Sequence, residues 1–186
     1  FPYTTLFRSV DKFSLSQFSV PPLSAPLVRK TFKKYFGQYP ENLYDTFTPD
    51  AMNAASIGQV HKATKDGKNL AVKIQYPGVA DSISSDLALV KPFAIRMFNI
   101  KGKDSDKYFK EVEDKLLEET DYNLELKQSV SISEKCALID NLRFPQYYPA
   151  LSTDKILTME WIEGIHLSEF TKINDDRVKG DKIGQA

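Results

Sequence analysis

Ala54-Ala-Ser-Ile-Gly-Gln-Val-His61 and, twelve residues beyond it, Lys73 within Leu70-Ala-Val-Lys-Ile-Gln75 decide how this chain is read. Ala54, Ala55, Ser56 and Gly58 strip bulk from the backbone, so that successive N–H groups are free to approach an anion, the concave nest found at many phosphate sites. Gln59-Val-His-Lys-Ala63 reads as a strand, Asp66-Gly67 as a hairpin turn and residues 69–76 as the next strand. Side chains alternate along a strand, so Ala71, Lys73 and Gln75 share one face, and Val72 and Ile74 the other. A Val-Lys-Ile strand is weak evidence alone, because an edge or surface lysine gives the same pattern. Behind a small-residue loop and a hairpin, the lysine stands where an ammonium would meet an anion under the loop.

The 186 residues are enough to bury a sizeable core, and 41% apolar with 27% charged residues is ordinary for a globular chain. Lys plus Arg equals Asp plus Glu at 25 each, so no overall field favours nucleic acid, and nucleic acid is not expected as a partner. A single cysteine, Cys136, excludes an intrachain disulfide, and it reads as an inert core thiol with no activating neighbour. With two histidines, His61 and His166, a protein-built zinc site is not expected. No run approaches the ~18 apolar residues of a membrane span, and no secretory pattern is visible.

Phe1-Pro-Tyr-Thr-Thr-Leu-Phe-Arg-Ser9 resembles a translated sequencing adapter, which places the native reading frame from about Val10 and its upstream end outside the chain. Pro21, Pro22 and Pro26 make residues 10–26 an extended connector. From Pro26 to Phe36, Leu27, Val28, Phe32, Tyr35 and Phe36 recur near helical spacing with Arg29, Lys30, Lys33 and Lys34 opposite, and Gly37 is placed to end the helix. Such a basic face suits a membrane surface, but more commonly it is simply solvated. Residues 82–100 suggest a helix capped by Asp81 or Ser82 and interrupted by Pro92, and residues 101–106 a charged loop. Residues 107–133 read as one long polar helix, on which Asp121 and Glu125 share a face while Glu119 points elsewhere. Residues 143–149 and 155–162 read as two strands, with a helix from Leu167 and a charged loop at 174–180.

Ala54-Ala-Ser-Ile-Gly-Gln-Val-His-Lys-Ala63, Ala71-Val-Lys-Ile-Gln-Tyr-Pro-Gly-Val79, Glu119-Thr-Asp-Tyr-Asn-Leu-Glu125 and Leu157-Thr-Met-Glu-Trp-Ile-Glu-Gly164 together resemble the UbiB/AarF family of atypical, protein-kinase-like proteins. The resemblance implies an α+β fold: a kinase-like N-terminal lobe with about five antiparallel strands and a long αC-like helix, extra helices, and only the start of a C-terminal lobe. It divides the chain into residues 1–9, an N-terminal extension at 10–50, the lobe at 51–162 with a helical insertion at about 81–100, and the hinge exit at 163–186. Ala54, Ala55, Ser56, Ile57, Gly58, Gln59 and Val60 would cover the phosphates of ATP or ADP, with Lys73 contacting them and Glu125 aiming Lys73. Glu118 or Glu119 remains an alternative partner for Lys73. Glu119 and Asp121 would form the family's E-x-D pair, Met159 the gatekeeper, and the backbone of Glu160, Trp161 and Ile162 the adenine hinge. Met159, Trp161 and Ile162 are equally ordinary strand core, and His61 reads as structural.

The departures also set expectations. The family's K-x-G-Q helix has no counterpart, and no H-x-D…N catalytic loop or D-F-G motif follows, so catalytic and Mg-binding groups are expected beyond residue 186 and the chain by itself is not expected to transfer phosphoryl groups. The resemblance implies a longer bacterial parent, an atypical kinase or ATPase on the cytoplasmic side of a membrane, supporting isoprenoid quinone metabolism with lipid or quinone-pathway partners. The alternative is a non-catalytic nucleotide-binding or lipid-interacting scaffold.

Overall fold

The computed structural model describes residues 22–98 and 104–164. The adapter reading of residues 1–9, the connector before Pro22, the helix from Leu167 and the charged loop at 174–180 lie outside the described residues, as do residues 101–103 of the expected loop.

The fold is α+β, with a five-stranded antiparallel sheet and several helices. Its centre is the hairpin of β3 (Gly58–Lys65) and β4 (Lys68–Gln75). Asp66 and Gly67 turn it at φ 51° and 73°, the paired positive φ values that match the right-handed twist of the strands and that Asp-Gly tolerates. β1 (Thr46–Phe47) and β2 (Asn53–Ala55) pair with opposite ends of β3, and β5 (Ile156–Glu160) pairs with β4, all antiparallel. The strand expected over residues 143–149 is reduced to one bridge, Tyr147 to Met159. Pro145 and Pro149 deprive that segment of ladder donors, and Pro149–Leu151 instead closes a 3-10 turn.

One face of the sheet packs under α1 (Ala25–Phe36), where Val28 and Phe32 meet Leu70, Val72, Ile74 and Ile156. α1 follows its sequence pattern, with proline in its first turn, Lys33 and Lys34 in its last, and Gly37 ending it at φ 72°. The short α2 (Pro40–Leu43) leads to Tyr44, whose hydroxyl bonds Thr158 at 2.9 Å inside the core. α3 (Val79–Phe98) runs through Pro92 without the expected interruption. Pro92 has no N–H to give the carbonyl of Ala88, which lies on an exposed stretch where solvent can reach it. The single helix expected over residues 107–133 is two: α4 (Asp104–Glu119) and α5 (Tyr122–Lys135). Cys136 caps the end of α5 and is half-buried, so it is no core thiol.

The core also holds a polar chain. Gln59 and His61 are fully buried; the Gln59 amide lies 2.7 Å from His61 Nε2, its Oε1 accepts from Leu23 N at 2.6 Å, and His61 Nδ1 lies 2.8 Å from Thr48 O. With Oε1 accepting, the amide nitrogen must donate to Nε2, so Nδ1 carries the proton and donates to Thr48 O. The ring stacks on Phe47 at 4.9 Å. Burial holds the His61 pKa below its ordinary 6.5. The unfolded chain therefore binds the proton more readily, and this contribution to stability is present above pH 6.5 and lost as pH falls below it. Melting temperature should drop between about pH 7.5 and about pH 5.5, and His61→Gln should flatten that slope; identical slopes would reject the neutral, buried imidazole.

Candidate functional site

The opposite face of the sheet carries Gly58, Val60 and Lys62 from β3, Ala71, Lys73 and Gln75 from β4, and Leu157 and Met159 from β5, as their cross-strand register requires. At its centre Lys73 Nζ donates to both carboxylate oxygens of Glu125 at 2.9 Å. The Lys73 side chain is 17% exposed and that of Glu125 32%. The Tyr122 ring lies beneath the ammonium at 4.7 Å, an attraction between cation and ring quadrupole that adds to the carboxylate. Tyr122 is fully buried, and its hydroxyl has no hydrogen-bond partner among the described residues. Burial first, then the negative charges of Glu125 and Glu119, keep that phenol protonated far above its usual range.

α5 reaches this position because the chain breaks at Thr120-Asp121. The Asp121 carboxylate accepts from Asn123 N at 3.0 Å and Leu124 N at 3.3 Å, making it the N-cap of α5. It therefore precedes the helix, so the expected shared helical face with Glu125 does not exist. Gln75 Nε2 and Lys155 Nζ both donate to Thr120 O, at 3.0 and 2.8 Å, and Tyr122 N donates to Asp154 O at 3.1 Å. Of the three glutamates considered for Lys73, only Glu125 reaches it: Glu118 pairs with Lys115, and Glu119 is exposed at the end of α4.

The small-residue segment is itself a hairpin. Ala54 pairs with Gln59 and Ala55 with Gly58, Ser56 and Ile57 form the turn, and Ile57 O accepts from Tyr76 N at 2.9 Å. A Cβ on Gly58 would lie 2.2 Å from Ile74 O, so this glycine is needed for the close approach of β4 rather than to admit an anion. The Gln59 side chain faces the core and takes no part in the site. Ala55 and Val60 stay on the Lys73 face, while Ala54 shares the face of Gln59.

At the far end, Met159 pairs with Ala71. Glu160 N donates to Gln146 O at 2.7 Å and Trp161 N to Asn69 O at 3.0 Å, whereas Ile162 N has no partner among the described residues. The Trp161 indole donates to Glu163 at 2.8 Å, and Lys62 lies over its ring at 4.9 Å. No group of three or more His, Cys, Asp or Glu among the described residues is placed to hold a metal ion.

Residues 15–186 match the ABC1 atypical kinase-like domain. The chain belongs to this family. An Arabidopsis thaliana relative, the chloroplastic protein ACTIVITY OF BC1 COMPLEX KINASE 1, is 30% identical over 172 residues, covering 89% of this chain and 25% of its own length. The Caenorhabditis elegans mitochondrial atypical kinase coq-8 is 35% identical over 139 residues, covering 74% of this chain and 18% of its own. The solved complex of Rv3197 with erythromycin, from Mycobacterium tuberculosis, superposes with a TM-score of 0.69 at 28% identity, over 85% of this chain and 40% of that one. The chain spans 18 to 36% of the length of such curated relatives. The resemblance to the UbiB/AarF proteins and the kinase-type N-lobe it implied are thus borne out.

In this ABC1 domain the residues around Lys73 to which the sequence assigned no role are Tyr122, Gln75 and Lys155. Thr120-Asp121, a pair that favours helix starts, was the one local signal for the break that places them. Asp121→Ala should destabilise the domain by about 1 kcal/mol and Asp121→Asn by less, and Gly58→Ala by about 1–3 kcal/mol through the clash with β4. Urea unfolding monitored by circular dichroism checks all three; an Asp121→Ala variant as stable as the parent would remove the cap from the account.

Proposed function

We propose that this ABC1 domain is the nucleotide-binding lobe of an atypical kinase or ATPase, holding ATP or ADP between the β2–β3 hairpin and Lys73. The observation that carries the reading is the bidentate Lys73–Glu125 pair at 2.9 Å, on the sheet face that the hairpin borders. A lysine ammonium is a point charge on a flexible stem, and it serves phosphate only when another group holds it in place. Glu125 fixes its direction and Tyr122 supports it from below. Val60 and Leu157 flank Lys73 across the strands, and Ala71 with Met159 gives a flat apolar floor one step further on. The unpartnered Ile162 N–H lies beyond that floor, where an adenine edge needs a donor.

Catalysis of phosphoryl transfer rests on positioning and on charge stabilisation, and the residues seen here supply the positioning. Magnesium accompanies nucleotides in kinase-like proteins and supplies charge neutralisation on the phosphates. Among the described residues no cluster of three or more carboxylate, imidazole or thiol groups is placed to hold it. From the family resemblance we propose that the parent protein supports isoprenoid quinone lipid metabolism on the cytoplasmic side of a membrane, with this part of it peripheral. Among the described residues no helix is long and apolar enough to cross a membrane.

In the intact protein, Lys73→Met should weaken Mg-ATP binding about tenfold or more by calorimetry, a loss of ~1.4 kcal/mol per tenfold. Glu125→Gln should weaken it less while leaving the melting temperature nearly unchanged, because the pair is partly solvated and aligns more than it stabilises. Undiminished ATP affinity in Lys73→Met would reject the nucleotide reading.

A further inference from the structure

A second cleft opens on the α1 side, between α1, the start of α3 and the residue before β5; neither Lys73 nor Glu125 lines it, although Gln75 and Lys155, which hold Thr120, do. It encloses about 420 Å³, within the range of small-molecule sites. Lys30 and Lys34 of α1 and Lys155, just before β5, line it. Lys30 and Lys34 are four apart on α1 and so project to the same side. The other two cations of that helix are committed elsewhere: Arg29 pairs with Glu41, and Lys33 donates to Gly37 O at 2.6 Å.

No carboxylate among the described residues forms an ion pair with Lys30, Lys34 or Lys155. Lys155 gives one N–H to Thr120 O, and an ammonium has two more. Asp81 is the one carboxylate in the lining, so three lysines against one aspartate leave the cleft at a balance of plus two. The first turn of α3 opens here as well, and the N–H groups of Ala80 and Asp81 have no partner among the described residues. Such orphan donors at the positive end of a 20-residue helix favour an anion. Tyr35 and Tyr76 add aromatic surface beside the charges, with Lys34 over the Tyr35 ring at 5.0 Å.

We propose that this cleft binds a phosphate monoester, its phosphate among Lys30, Lys34 and Lys155 and its apolar part against Tyr35 and Tyr76. Like-charged lysines one helical turn apart, sharing a concave site with a third, lose their mutual repulsion when a dianion sits between them. The ester group is what the aromatic wall adds over free phosphate, so an organic phosphate binds more tightly than the inorganic ion.

The test uses the intact protein with phenyl phosphate and inorganic phosphate as probes, followed by calorimetry. Phenyl phosphate should bind one-to-one and more tightly than inorganic phosphate. The double variant Lys30→Gln/Lys34→Gln, on the exposed side of α1, should weaken it at least about tenfold, as loss of two charge-assisted contacts predicts, while Mg-ATP affinity stays unchanged. Lys73→Met should leave phenyl phosphate affinity unchanged, which separates this cleft from the nucleotide reading. Absence of binding at millimolar probe, indifference to the double variant, or loss of the probe in Lys73→Met would each overturn the proposal. Co-sedimentation with phosphatidic acid vesicles in phosphatidylcholine, abolished by the double variant, would assign the phosphate to a lipid headgroup. Phenyl phosphate binding without sedimentation would assign it to a soluble ester, and sedimentation without phenyl phosphate binding would reduce the cleft to surface charge and overturn it.

Discussion

The carbonyl of Thr120 governs the geometry around Lys73. Two donors, Gln75 Nε2 at the end of β4 and Lys155 Nζ just before β5, converge on it. They hold the chain at the one point where the helical path between α4 and α5 is interrupted, and the Asp121 carboxylate restarts the helix immediately afterwards. A continuous helix would carry Glu125 in whatever direction α4 dictates. The break lets α5 take its own direction, so that the carboxylate and the Tyr122 ring both come to Lys73.

The Lys73–Glu125 pair contributes little to holding the lobe together. Both side chains keep some solvent contact, so attraction between them is screened, and withdrawing them from water opposes what attraction remains. Cohesion comes from the other face of the sheet, where α1, Tyr44 and Phe47 close over an apolar layer threaded by the Gln59–His61–Thr48 hydrogen bonds. The division is physically sensible. Fully satisfied polar groups in a core fix one packing arrangement, and that rigid layer gives the opposite face a stable sheet on which to align a charge.

The central hairpin was legible in the sequence because Asp66-Gly67 admits only a tight turn and because the alternation in β4 separates Lys73 from Val72 and Ile74. α1 was legible from its apolar spacing and Gly37. β1 and β2 were not, since strands of two and three residues exist only through their pairing with β3. The α4–α5 break was hidden because residues on both sides of it favour helix equally, and the contacts that stabilise it come from Gln75 and Lys155, 45 and 35 residues away in sequence. Gly58 was read for the right smallness and the wrong reason: its neighbour is the Ile74 carbonyl. The Lys73–Glu125 partnership came from motif resemblance, and residue spacing alone did not distinguish Glu125 from Glu118 or Glu119.

The bond from Tyr76 N to Ile57 O ties the turn of the β2–β3 hairpin to the end of β4. A roof free at its tip must lose chain entropy each time it closes over a ligand, and that loss is subtracted from affinity. Here the tip is fastened when the lobe folds. The hairpin is therefore a fixed awning and not a flap, and a ligand bound beneath it as proposed would not bear the cost of ordering its tip.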